Sequence, residues 1–515
     1  MKPHCRLLTV LCASLCLWAA RAQRSAAPAT LPELQQLLED QVSQPRFSAA
    51  LWGVKIVSLD TGRTVFEHNP QKLFSPASNS KLYTVALAFD RLGADYQIKT
   101  SLYAKTKPNR AGVLDGDLVV YGRGDPTITA RLHGGEISKA LEPLVVALTN
   151  AGVKRIRGGL VGDESFFHGP PWGSGWVWED LEFSYGAPIS ALSINDNTLL
   201  MTLKPGPRVG APCRVELSPP TVYERFDNRT TTVAKGAPRR LHFYRPANQS
   251  VVYVSGQMPI DDTGTSQEVP AHNPAMLFIT CFKEALARHG IHVSSKLKTA
   301  NWLDRQEDLL NCSNLTELGA VESPPMRDLA REVEKPSQNL YADLMLAQVG
   351  ENERAANAGP TSAPGETSES LGIRDLNLFL AEAGVKKGDV LFEEGSGLSR
   401  DNLTTPNATV ALLQHMSRHK CAADYLDALP IAGVDGTLKN RMKGTAAAGD
   451  VRAKTGTLRW ANSLSGYVTT AAGEHLAFSL MLNRYHNTDP DHSSRADLDA
   501  IAILLASFTG RTQAQ

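Results

Sequence analysis

Ser78 and Lys81 stand three residues apart at the head of a segment, Ser78 to Leu92, in which Leu82, Val85, Ala86 and Phe89 recur at helical spacing. Side chains three apart share one helix face, about one turn from each other. A serine hydroxyl attacks poorly until a base takes its proton, and a lysine amine serves as that base once burial or a neighbouring cation lowers its pKa. The pair alone is equally a surface Ser and Lys at a helix start, and Ser295 with Lys298 repeats the spacing in a strand-like stretch.

Two further segments carry matching chemistry. Ser337-Gln338-Asn339, after Lys335-Pro336 and before Leu340, offers a hydroxyl for moving a proton and an amide for clamping a substrate amide. Its bland alternative is a helix cap. Lys454-Thr455-Gly456-Thr457 precedes a probable strand, where Gly456 permits another backbone to approach closely. Read blandly, that is a solvated turn.

The elements that must position these groups come from both ends of the chain. Leu51 to Leu59 and Arg63 to Glu67 read as two strands around the turn Asp60-Thr61-Gly62, followed by the helix that Ser78 opens. Ala461 to Thr470 and His475 to Asn483 read as a second hairpin, followed by an amphipathic helix from Ala496 to Phe508. The two hairpins are expected to share one sheet. Between them, Tyr96 to Leu160 mixes strand-like runs such as Asp117 to Tyr121 with a helical stretch from Ala140 to Asn150. Leu199 to Val254 is strand-rich and punctuated by Pro and Gly, and Ala355 to Ser370 reads as a flexible loop.

Composition narrows the function classes. The 515 residues carry 53 basic and 53 acidic side chains, so the broad electrostatic attraction to nucleic acid or anionic lipid is missing. Lys2 and Arg6 precede an apolar run from Leu7 to Ala20 that ends in Ala20-Arg21-Ala22, the layout of a secretory leader cut after Ala22. That predicts an exported protein, periplasmic or extracellular, without a transmembrane anchor. The Cys residues beyond the leader, Cys213, Cys281, Cys312 and Cys421, have no metal-ligand spacing; an oxidising compartment permits disulfides among them, with the pairing open. Gly122-x-Gly124 lacks the third Gly and the Lys of a phosphate cradle.

The ordered set Ser-x-x-Lys, Ser-x-Asn and Lys-Thr-Gly resembles the signature of penicillin-binding proteins and serine β-lactamases. Ser337 follows Ser78 by 259 positions (337 − 78), and Lys454 follows Ser337 by 117 (454 − 337). The long first interval is similar to the D-Ala-D-Ala carboxypeptidases/endopeptidases of the low-molecular-mass class C penicillin-binding proteins, peptidase family S13. The segments Pro76 to Lys81, Gly122 to Thr127, Gly395 to Arg400 and Leu429 to Leu438 agree with it.

The resemblance implies a multidomain α/β (α+β) fold, a transpeptidase-like domain with a large nested two-domain insertion. Residues 23–95 and 320–515 would form the catalytic domain, 96–195 and 270–319 an inserted α/β domain, and 196–269 a nested all-β domain. It implies Ser78 as nucleophile, Lys81 as its base, Ser337 as proton relay, and Asn339 as holder of the substrate amide. Lys454 would bind the terminal carboxylate, aided by Thr455, Gly456 and Thr457, and help keep Lys81 neutral. The N–H groups of Ser78 and Thr457 would form the oxyanion hole. Asp180, within Trp176 to Leu181, would contact the amine of a diamino acid side chain and Arg400 would lie on the substrate side, although Asp180 reads equally as a helix cap. The implied partners are peptidoglycan stem peptides and, as covalent inhibitors, β-lactams; no metal or organic cofactor is needed, and self-association is left open. Arg459 and Glu394 depart from the family pattern, where relatives can carry an uncharged amide and an Asp. Competing expectations are a serine β-lactamase and a non-catalytic wall-binding protein on the same fold.

Overall fold

The computed structural model describes residues 27–221, 224–246, 249, 251–294, 296–307, 314–356, 365–486, 489 and 493–512. The expected leader, Cys312 and Ser295 lie outside them.

The two terminal hairpins do share a sheet. Its five strands run in the order Val451–Leu458, Ala461–Thr469, His475–Asn483, Leu51–Ser58, Thr64–His68. The join between the chain's ends is the antiparallel pairing of Leu51 with Asn483 through Ser58 with Leu476. His475–Asn483 is buried at every position but the first, because helices cover both faces. Phe478, Leu480 and Leu482 pack with Leu34 and Leu38 of helix Leu31–Val42 and with Leu498 and Ile501 of helix Ser494–Ser507. On the opposite face, Ala477 and Val57 join the core built on helix Ser80–Arg91. That helix is buried from Ser80 through Phe89, so it is the central rod of the domain rather than a surface helix.

The intervening chain builds the remaining sheets. Leu297–Ala300, Leu160–Asp163, Leu118–Tyr121, Lys99–Ala104 and Thr316–Glu322 form a mixed five-stranded sheet packed by helices Ile137–Asn150 and Pro274–Arg288. Lys99 pairs with Glu322, which places strand Thr316–Glu322 at the edge of this sheet. Two three-stranded sheets between Thr198 and Pro270 make up the all-β portion.

One expectation needs correction. Ser368 to Ser370 are not loop: Thr367 accepts a hydrogen bond from the Ser370 N–H and caps helix Ser368–Glu382, and Ala355 and Ala356 close helix Asn339–Ala356; part of the remaining stretch, 357–364, lies outside the described residues. Cys213, Cys281 and Cys421 are buried free thiols, not disulfide partners of one another. Among the described residues, no helix is long and apolar enough to cross a membrane and no acidic, His and Cys group could hold a metal ion.

Candidate active site

Ser78 sits in a short 3-10 turn, Ala77–Asn79, that feeds helix Ser80–Arg91. Ala77 ahead of it has φ +49°, a conformation L-residues seldom adopt, so the turn must be held from outside. The sheet holds it: the Ser463 hydroxyl donates to the Pro76 carbonyl over 2.6 Å, and the Asn79 amide donates to the Ser465 hydroxyl over 2.7 Å. Gly456, on the edge strand, lies so near that a Cβ there would stand 2.5 Å from the Pro76 oxygen and 3.1 Å from the Ser78 nitrogen. The backbone that carries Lys454, Thr455 and Thr457 therefore lies directly against the turn that carries Ser78.

Lys81 is fully buried. Its ammonium donates to the Ser78 hydroxyl at 3.1 Å, the Asn339 side-chain oxygen at 2.6 Å and the Ser396 carbonyl at 2.6 Å. Asn339 in turn donates to the Tyr185 carbonyl over 2.9 Å. Lys454, equally buried, donates to the Ser337 hydroxyl at 2.8 Å and to the Thr455 carbonyl at 3.2 Å. Thr455 donates its hydroxyl proton to Thr437 at 2.8 Å, and Thr457, exposed on the same strand, to the Asn462 side-chain oxygen at 3.4 Å. Ser78, Lys81, Ser337, Asn339 and Lys454, from three distant parts of the chain, thus form two hydrogen-bonded groups, one on Lys81 with Ser78 and Asn339 and one on Lys454 with Ser337. The rival Lys298 lies on the inserted sheet, paired with Val161.

Burial dominates the electrostatics. Desolvation lowers Lys81 to about 8 against the pull of Asp343, Glu394 and Glu334. Desolvation lowers Lys454 to about 7, with Glu334 opposing and Lys81 assisting. Burial is thus the first cause acting on both lysines, and the Lys81 charge adds to it at Lys454.

Three acids that sequence reasoning missed surround the lysines. Glu334 is fully buried, neither of its oxygens has a hydrogen-bond partner, and desolvation pushes it up to about 7 while both lysines pull it back. A signal existed for it, since Glu334 stands four past Ala330 on the face formed by Met326, Leu329, Ala330 and Val333. Glu394, weighed only as a departure from the family, accepts N–H bonds from Ser396 at 2.8 Å, Gly397 at 2.7 Å and Ser399 at 3.3 Å, and one from the Asn402 amide at 2.8 Å. Its carboxylate is the centre around which the 395–402 loop folds, and that loop presents the Ser396 carbonyl to Lys81. Asp343 accepts from the Gly395 N–H at 3.1 Å; burial first, then the Glu394 charge, hold it well above the ordinary carboxylate range.

Asp180 and Arg400 also meet. The buried Asp180 carboxylate accepts from the Val177 N–H at 3.1 Å, capping the 3-10 turn Trp178–Glu182, and from the half-exposed Arg400 guanidinium at 3.2 Å.

A model of the D-Ala-D-Ala carboxypeptidase 3 (S13) family matches residues 34–505. D-alanyl-D-alanine carboxypeptidase of Actinomadura sp. (strain R39) is 32% identical, over 96% of this chain and 88% of its own length. D-alanyl-D-alanine carboxypeptidase DacB of Haemophilus influenzae is 25% identical, over 90% of this chain and 92% of its own. The crystal structure of penicillin binding protein 4 (dacB) from Haemophilus influenzae superposes with a TM-score of 0.74, covering 92% of this chain and 97% of that one at 25% identity. Another structure of that protein, complexed with a β-lactam, gives a TM-score of 0.69 at 23% identity, over 92% of this chain and 97% of that one. With the multidomain α/β architecture shared and the match spanning nearly all the described residues, the chain belongs to the D-Ala-D-Ala carboxypeptidase 3 (S13) family.

Proposed function

We propose that the protein is an exported serine D-Ala-D-Ala carboxypeptidase and peptidoglycan endopeptidase that works through an acyl-enzyme on Ser78 and is inhibited by penicillin. The observation that carries this is the contact of the buried Lys81 amine with Ser78, at 3.1 Å, beside the Lys454–Ser337 contact at 2.8 Å.

The site supports an ordered sequence of proton movements. A substrate carboxylate arriving at Lys454 and Thr455 favours the protonated form of Lys454, and the added positive charge drives the proton off Lys81. Neutral Lys81 then takes the Ser78 proton as Oγ attacks the carbonyl between the two D-alanines. The N–H groups of Ser78 and Thr457 receive the oxyanion, an effect worth about 3 to 4 kcal/mol per donor in such sites. Ser337 hands its proton to the departing D-alanine amine and takes another from the Lys454 ammonium it contacts, and water releases the acyl group by the reverse path. Asn339 holds the substrate amide, and the Asp180 carboxylate receives the free amine of a diamino acid side chain, with Arg400 on the substrate side beside it.

Fluorescent penicillin tests the reading. The wild-type protein should retain a stable label, and Ser78→Ala should take none while unfolding at nearly the same temperature. Ser295→Ala should label fully. A labelled Ser78→Ala variant removes Ser78 from the role, and rapid release of label from the wild type marks a β-lactamase.

A further inference from the structure

Among the described residues six aromatic side chains are strongly exposed, and four of them, Trp172, Trp178, Phe183 and Tyr185, occur within one 14-residue stretch, 172–185. Trp178 is 70% exposed although it stands two residues from the buried Asp180. Such concentration is foreign to an idle surface and marks a place where something docks. Trp172 and Trp178 converge with Tyr244, from strand Arg240–Tyr244 of the all-β portion, on a pocket of about 110 Å³ whose other walls include Glu182, Arg245 and His272.

The pocket is built rather than accidental. Tyr244 stacks on Tyr253 with ring centroids 6.0 Å apart, which holds its ring in place. The guanidinium of Arg245 donates to the Pro270 carbonyl and lies 3.8 Å from the buried Glu224 carboxylate. The same carboxylate accepts the His272 main-chain N–H over 2.6 Å, so one buried acid anchors Arg245 and the backbone that carries His272.

Flat aromatic faces rimmed by a guanidinium, a carboxylate and an imidazole suit a ring with one C–H face and a polar edge of hydroxyl and amide groups. A pyranose with an N-acetyl substituent has that shape. We infer that this pocket seats an N-acetylated sugar of the glycan strand bearing the substrate peptide, an inference that rests on the peptidoglycan reading above. The stretch that supplies Trp172 and Trp178 also carries Asp180, and its Tyr185 carbonyl is bonded to Asn339. A seated sugar is thereby tied to the segment that borders the reacting serine.

The test uses the full protein and the Trp172→Ala/Tyr244→Ala double variant. Two substrates share one D-Ala-D-Ala pentapeptide, free in one case and linked to an N-acetylated disaccharide in the other. The wild type should favour the linked form in kcat/KM by about tenfold, chiefly through KM. The double variant should lose that preference while keeping its rate on the free peptide and its penicillin labelling. Equal wild-type rates on both substrates, or an equal loss on both in the variant, would overturn the inference. Loss on the free peptide alone would overturn it too, by making the pocket a peptide site. Tryptophan fluorescence with the peptide-free disaccharide separates this inference from the reading it rests on. Quenching in the wild type and not in the variant supports a sugar site even if neither pentapeptide is cleaved, and absence of quenching together with no preference rejects it.

Discussion

The Lys454 ammonium lies 2.8 Å from the Ser337 hydroxyl, a residue 117 positions earlier in the chain. Ser337 has φ +68°, a strained value for a serine, and this bond is one of the contacts that retain it. Lys454→Ala should therefore misplace the relay and remove the carboxylate's partner together. A charge-assisted hydrogen bond is worth about 1.5 to 3 kcal/mol, so acylation by peptide and by penicillin should each fall by roughly ten- to a hundredfold. Second-order acylation rates measure it, and unchanged rates exclude the role. Lys454→Arg should also acylate slowly, because a planar fork does not replace a point charge at a fully buried position.

Glu334 shapes the pH dependence. Its anion favours the charged form of both lysines, so its removal lowers both. Activity should rise with pH as Lys81, near 8, loses its proton. In Glu334→Gln, which preserves the shape of the buried side chain, that rising limb should move to lower pH. Profiles of kcat/KM between about pH 5 and 10 decide it, since the limb reports the free enzyme's base. A lowered rate with an unmoved limb would make Glu334 a packing residue only.

Asp180→Asn tests selectivity. The carboxylate already holds the Val177 N–H and Arg400, so loss of its charge should weaken recognition of a free side-chain amine without dissolving the turn. Cleavage of peptides with a free side-chain amine should slow by about tenfold, the equivalent of 1.4 kcal/mol, and cleavage of matched acetylated peptides should change little. An equal loss on both peptides would assign Asp180 to structure alone.

Gly456→Ala tests the contact between the edge strand and the turn that carries Ser78. A Cβ 2.5 Å from the Pro76 oxygen cannot be accommodated without moving backbone. The variant should lose about 1 to 3 kcal/mol of stability and acylate more slowly than its lowered melting temperature explains. Thermal melts and penicillin labelling rates, measured together, separate the two effects. Wild-type values in both would show that the strand can yield.

What could be read from the sequence alone was local. The Ser78–Lys81 spacing, the turn at Asp60 to Gly62 and the apolar runs of the terminal strands depend on periodicity, which neighbouring residues impose on each other whatever the rest of the chain does. The pairing of the two ends was accessible for the same reason, because two hairpins with buried faces need a common core. The charges at the centre were decided by the tertiary structure. Glu334 and Asp343 acquire their properties from helices that close over them, and desolvation, the largest cause acting on both, is a property of surroundings and not of a residue type. The same holds for Asp180 and Arg400, 220 positions apart, whose ion pair exists only because the segment around Asp180 crosses to meet the 395–402 loop. Helical and strand spacing are written along the chain; the dielectric around a lysine and the partner of a carboxylate are set by what folding brings beside them.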